Sequence, residues 1–215
     1  LQSIFFVVNF TTSVSFALLA PMILSRSGND SIVLGTVQSA FGVGGVIGGL
    51  LISAWGGPKR KVYGLLLGAV SSSLLSNMLM GLGRSAPIWV AAAFFFMFIN
   101  PITNGCGQAI WQSKVPPELQ GRVFSTRRLI AQASQPVAMF VAGPLADRVM
   151  EPAMMPGGSL APVFGWLLGT GPGAGMALIF IFAGLIGAAT GLGGFLFDVV
   201  RNVEDILPDH DAARR

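Results

Sequence analysis

Four stretches of more than 20 residues, at 3–25, 32–57, 62–83 and 87–112, contain no Lys, Arg, Asp or Glu. Two more, 129–149 and 174–198, carry charge only at their ends, as Asp147 with Arg148 and as Asp198. A bilayer core about 30 Å thick is crossed by roughly 20 helical residues. Inside it every backbone N–H and C=O must be bonded within the chain, which leaves helices and closed barrels. Barrel strands alternate over about 10 residues, and these runs do not. The reading is an all-α polytopic membrane protein: one six-helix domain over 1–198, then a polar tail, 199–215, that is expected to fray. Composition agrees. The 215 residues are 53% hydrophobic and 10% charged, with a mean hydropathy of +0.71, against about 25% charged residues in soluble domains. A soluble enzyme and a disordered chain are both excluded.

The net charge of +4 does not point to nucleic acid, because the basic residues fall in short clusters between apolar runs. That pattern marks membrane topology. With the N-terminus inside, the inner segments hold Lys59, Arg60, Lys61, Lys114, Arg122, Arg127, Arg128, Arg201, Arg214 and Arg215, and the outer ones only Arg26, Arg84 and Arg148. Both termini are therefore expected on the cytoplasmic side. Trp55, Trp89 and Trp111 lie near span ends, where rings anchor in the headgroup layer. The turn at 84–86 is tight. The inner connector 113–128, carrying Glu118 and Arg122, is expected to form a short surface helix after Pro116-Pro117. The outer loop 150–173 is rich in Pro and Gly, with 163–168 and Trp166 on the membrane surface. Cys106 is the single cysteine and His210, in the tail, the single histidine. No disulfide, metal cluster or cofactor is expected. The chain opens at Leu1 without a methionine, which suggests missing upstream sequence.

Polar residues inside the spans are the candidates for function. Asn100, Asn104, Gln108 and Gln112 follow one another at intervals of four, so each is displaced from the last by about 40° around the helix. The first three line one narrow stripe. Pro101 removes a backbone donor and frees the carbonyl of Met97; Pro136 does the same for Gln132, beside Gln135. The first span has Asn9, Thr12 and Ser13 on one face, the second has Gln38, and the third and sixth read as plainer. These amides either line a cavity or join helices, at about 0.6 kcal/mol per contact. Gly44/Gly48 and Gly45/Gly49 form two overlapping GxxxG pairs, either a sliding seam or static packing. Gly187 and Gly191 read the same way, or as a contact outside the bundle. No ionisable residue lies in the middle of any span, so a proton-coupling acid would belong to a missing half. Asp147 falls at the outer interface, where it pairs with Arg148 or a helix end. No P-loop occurs, and the spans lack the Ser–His pair or paired aspartates of an intramembrane protease.

Three motifs give these features a family context: GVGGVIGGLLISAWGGPKRK at 42–61, KVPPELQGRVFSTRR at 114–128 and AGPLADRV at 142–149. Together they resemble the C-terminal half of a major facilitator superfamily transporter, in particular the drug-efflux branch that includes macrolide and enterobactin exporters. The resemblance implies twelve spans in two six-helix halves, each half built of two inverted three-helix units. The loop motif G-x-x-x-D-R is present as Gly143, Asp147 and Arg148 at the outer end of the fifth span. In the second span Gly49 is followed by Ser53 and Ala54 where the motif has Asp and Arg. The inner face would then rely on Gly49 and on Lys59, Arg60 and Lys61 against lipid phosphate, unless the basic run is topology signal alone. The first, second, fourth and fifth spans would lie nearer the cavity, and the amides follow that division. The implied function is a secondary exporter, by class an antiporter of the bacterial inner membrane. It would move an amphipathic small molecule as the two halves rock. Its partners would be lipid and a second six-helix half, in the same polypeptide or a separate chain. The alternative is a non-transporting structural subunit of a larger membrane complex.

Overall fold

The computed structural model describes residues 2–206. The readings that concern Leu1, His210, Arg214 and Arg215 lie outside them. Among the described residues there are helices and no strands. They are α1 (Gln2–Ser27), α2 (Ser31–Trp55), α3 (Lys61–Leu82), α4 (Ala86–Lys114), α5 (Pro117–Met154), α6 (Ala161–Leu168), α7 (Ala174–Leu196), and the short α8 (Asp198–Arg201) and α9 (Val203–Ile206). Six of them, α1 to α5 and α7, are long and apolar enough to cross a membrane. The protein is a polytopic helical membrane protein.

Local chemistry sets the helix ends. Asp30 accepts the Ile32 and Val33 N–H groups at 2.8 and 3.3 Å, meeting two of the four donors a helix start leaves open. At the other end of α2, Gly56 and Gly57 take φ of 74° and 80°, where glycine alone is unstrained. One expectation is corrected here. There is no separate surface helix at 113–128; from Pro117 onward the chain is one helix of 38 residues through Met154. At 1.5 Å per residue it is about 57 Å long, well beyond an apolar layer of about 30 Å. Its first turns, with Glu118, Arg122 and Arg128 exposed, project from that layer. Hydropathy reads such a segment as a connector because it reports apolarity rather than helicity. The tail is also corrected: its first residues form α8 and α9, and Val203 is buried beside Val62, Leu65, Leu66, Cys106 and Ile110.

The helices have two ends. The tail face carries the α2–α3 turn, the α4–α5 link and α9; the loop face carries α6 and the residues around it. The main helix pairs are α2 on α4, α1 on α5, α3 on α4, α1 on α7, and α3 on α7. These five pairs map onto one another when the first and fourth, second and fifth, and third and sixth spans are exchanged, whereas the contact of α5 with the start of α7 has no comparable counterpart between α2 and α3. Of the six spans α7 is the most enclosed and α2 and α5 the most open.

Glycines set the close approaches. A Cβ on Gly44 or Gly48 would run into the carbonyl oxygens of Phe94 and Phe98, so α2 and α4 touch backbone to backbone. Gly45 and Gly49 do not share this seam: a Cβ at Gly45 would only reach Met97 Cβ at 3.9 Å, and Gly49 and Gly143 meet nothing within 4 Å. Both GxxxG pairs have the same spacing, and the rotation of α2 selects one. Gly187 and Gly191 pack inside the bundle, against Ser73, Leu66 and Val70 of α3. Trp89 is corrected as well. It is 2% exposed, packed in the core, and donates its indole N–H to the Gly83 carbonyl at 3.1 Å. Trp55 and Trp166 are the exposed rings.

Candidate functional site

Asn9, Thr12 and Ser13 of α1 and Gln135 of α5 line one groove of about 440 Å³, together with Phe16, Ala17 and Met139. This volume lies in the range of small-molecule sites, about 300–1,000 Å³. The lining is also of that kind, an apolar wall with a few polar groups. The packing of α1 against α5 creates the groove. It brings together four of the residues singled out in the sequence, Asn9, Thr12, Ser13 and Gln135. Gln132 lies on the same helix, exposed and outside the groove lining, and Gln38 is exposed on α2. Pro136 is exposed next to Gln135.

On α4 the amides form their own line. Asn104 donates Nδ2–H to the Asn100 Oδ1 at 2.9 Å and to the Asn100 carbonyl at 3.2 Å. Asn100 is half-buried, while Asn104, Gln108 and Gln112 are exposed. The helix continues unbroken through Pro101, as α5 does through Pro136 and Pro144 and α1 through Pro21. At its end, Gln120 of α5 donates Nε2–H to the carbonyls of Gln112 and Val115 at 3.2 and 3.0 Å. This satisfies orphan carbonyls of α4 and fixes the link between the two helices.

The charged residues at the two faces are arranged differently from the sequence reading. Asp147 and Arg148 sit exposed on a π-helical stretch of α5, Ala146–Met150. The helix end near them is held by another residue: Glu151 accepts N–H groups from Gly173 at 3.0 Å and Met176 at 2.8 Å, at the start of α7. Arg26 donates to the carbonyls of Gly81 at 3.2 Å and Gly83 at 2.9 Å, and to that of Leu168. It therefore joins α1, the end of α3 and α6. Arg84 adds a bond to the Trp166 carbonyl at 3.1 Å. At the tail face the basic run does more than mark topology. Arg60 pairs with Asp205 at 3.2 Å and lies 5.7 Å from the centroid of the Tyr63 ring. Lys61 donates Nζ–H to the Gly56 carbonyl at 2.8 Å, while Lys59 is exposed. Glu204 accepts the backbone N–H groups of Lys61 and Val62, and its own carbonyl receives Lys114 Nζ–H at 2.7 Å. Arg127 stacks over Trp111 at 4.4 Å.

Glu151, Glu204 and the carbonyl-binding role of Arg26 were not visible in the sequence. Each makes contacts across 22 to 143 positions, and no short motif records such a contact. Asn77, in a span read as plain, is buried.

Comparison with known proteins follows the same direction. Over 121 residues, 52% of this chain and 28% of the relative, the sequence is 28% identical to macrolide efflux protein A of Streptococcus pyogenes. The macrolide efflux protein A of Streptococcus pyogenes serotype M6 matches with the same identity and coverage. The matched stretch is thus under a third of those proteins. No family model matches the chain, and no solved structure does. The chain is an integral membrane protein, similar over half its length to an efflux protein.

Proposed function

We propose that this chain is the C-terminal six-helix half of a secondary exporter of the major facilitator type, moving an amphipathic small molecule by alternating access. The observation that carries the reading is the placement of the membrane-span amides. Asn104, Gln108, Gln132, Gln135 and Gln38 are exposed on helices that otherwise expose Val43, Val46, Leu50, Val137 and Phe140. An amide turned to hydrocarbon loses its water bonds without replacement. These faces therefore look onto water or another polypeptide. A second six-helix half closing over α1, α2, α4 and α5 supplies both, with a polar cavity between the halves. The groove at Asn9, Thr12 and Gln135 is this half's share of that cavity. The similarity to an efflux protein supports export as the direction. In this reading both termini are cytoplasmic, in a bacterial inner membrane, and the groove holds the substrate without cofactor, metal or covalent chemistry.

The test is substitution in the full-length protein. Asn104→Leu with Gln108→Leu, and separately Gln135→Leu, should lower export about tenfold, the effect of one or two lost hydrogen bonds of about 1 kcal/mol each, with the protein still inserted. Unchanged export in both variants would remove the cavity from the proposal. A second reading, a structural subunit that transports nothing, is favoured by one observation: no ionisable side chain lies in the middle of a span. Native mass spectrometry in mild detergent separates the two. A continuous twelve-span polypeptide supports the exporter, and a stable assembly with unrelated subunits supports the subunit.

A further inference from the structure

Near its loop-face end α3 widens into a π-helical stretch, Ser73–Met78. Single-turn π segments are rare and concentrate at functional positions. The wider turn needs room, and α7 provides it with glycine. A Cβ on Gly184 would lie 2.9 Å from the Ser73 carbonyl oxygen and 3.1 Å from the Met78 nitrogen, and one on Gly187 would strike the Ser73 hydroxyl. Seated there, α3 buries Ser76 and Asn77, which are 4% and 6% exposed.

Ser76 and Asn77 line a small pocket with Thr12 and Ser15 of α1. Phe16, Phe41 and Phe96 line it too, with ring centroids 5.6 to 5.9 Å apart. Ser15 is 3% exposed and its Oγ has no hydrogen-bond partner. Many helical hydroxyls of this chain are satisfied locally instead. Thr11, Thr36, Ser39, Ser53 and Ser73 each donate to the carbonyl four residues back in their own helix. A buried hydroxyl without a partner is costly, and Ser15 had the same local remedy available. The pocket leaves about 10 Å³ for the centre of a water-sized sphere, close to the minimum that holds one water, which also needs two to four polar partners.

We infer that this pocket is a binding site for a single ordered water, bonded to Ser15 Oγ on α1 and to Ser76 and Asn77 on the π turn of α3. The water satisfies the orphaned hydroxyl and joins the first and third spans in the interior of the bundle. Thr12 and Phe16 line both this pocket and the α1–α5 groove, so one layer of side chains separates the two. The inference is independent of what the groove carries.

A structure of the full-length protein at a resolution that shows ordered water should reveal a peak within hydrogen-bonding distance of Ser15 Oγ and the Asn77 side chain. In parallel, thermal unfolding of Ser15→Ala, Asn77→Leu and the double variant should give losses that do not add, because either change removes the same bridge. Where Asn77→Leu fails to insert, Asn77→Ser takes its place. A pocket without density, or losses that sum, overturns the assignment.

Discussion

At each face of the bundle a glutamate occupies the start of one of the two enclosed helices. Glu151 does so for α7 at the loop face and Glu204 for α3 at the tail face. α3 and α7 exchange places among the main helix pairs, so the two sites correspond, although α5 packs on the start of α7 where α2 makes no comparable contact with α3. The carboxylates are not equivalent in sequence. Glu151 comes from the end of the preceding long helix, four residues past Asp147. At the matching place the sequence has Gly57, in the turn after α2, which holds no acid, and Glu204 arrives instead from beyond α7. Open N–H groups and the positive end of the helix dipole favour a carboxylate wherever a helix starts. That demand is local, and which residue meets it is left to the topology. The faces differ also in their support. The loop face is tied by Arg26, half-buried and bonded to three carbonyls. The tail face is tied by a terminal segment through Glu204, Lys114 and the exposed Arg60–Asp205 pair.

If the loop face is the firmer of the two, Arg26→Ala has the largest effect, about 3 kcal/mol, since charged hydrogen bonds to part-buried carbonyls are lost together. Unfolding of the purified full-length protein in detergent measures it; a loss no greater than that of Glu204→Ala would reverse the ranking. Next comes Glu151→Ala, expected to cost about 1–2 kcal/mol as a cap placed against Arg26. Glu204→Ala should cost about 1 kcal/mol, and truncation before Val203 should cost more than this single change, because Val203 is buried. Equal losses for the truncation and the point variant would mean that the tail acts through its carboxylate alone. The smallest effect belongs to Arg60→Ala, under about 1 kcal/mol and vanishing at high salt, as surface pairs do. Asp147→Asn, at an exposed position, should stay within about 0.5 kcal/mol; a larger loss would return the loop-motif acid to the role held here by Glu151.

The spans were legible because lipid leaves a chain little choice. A charge-free run of this length must be helical, and the six helices lie where the runs lie. The groove was legible in part. Asn9, Thr12 and Gln135 stood out as amides and hydroxyls in apolar runs, but their meeting depends on α1 packing against α5, which no spacing within either helix encodes. The phase of α2 was hidden for a related reason: Gly44/Gly48 and Gly45/Gly49 are the same motif one residue apart, and the facing backbone of α4 selects the first. Trp89 illustrates the limit of position along a span, since a ring near a helix end is as able to turn inward as to anchor. Ser15 and Asn77 were passed over because isolated hydroxyls and amides in a helix usually find partners locally, and only burial shows that Ser15 does not.

By itself the sequence determined that this chain crosses a membrane six times as helices, and where its polar side chains interrupt those helices. Hydrogen-bond satisfaction in hydrocarbon is a constraint on each segment alone. Tertiary structure decided which glycines touch, which glutamates close the helix ends and which polar residues share a groove. Those outcomes follow from the rotation and pairing of whole helices, set by the sum of many contacts between residues distant in the chain.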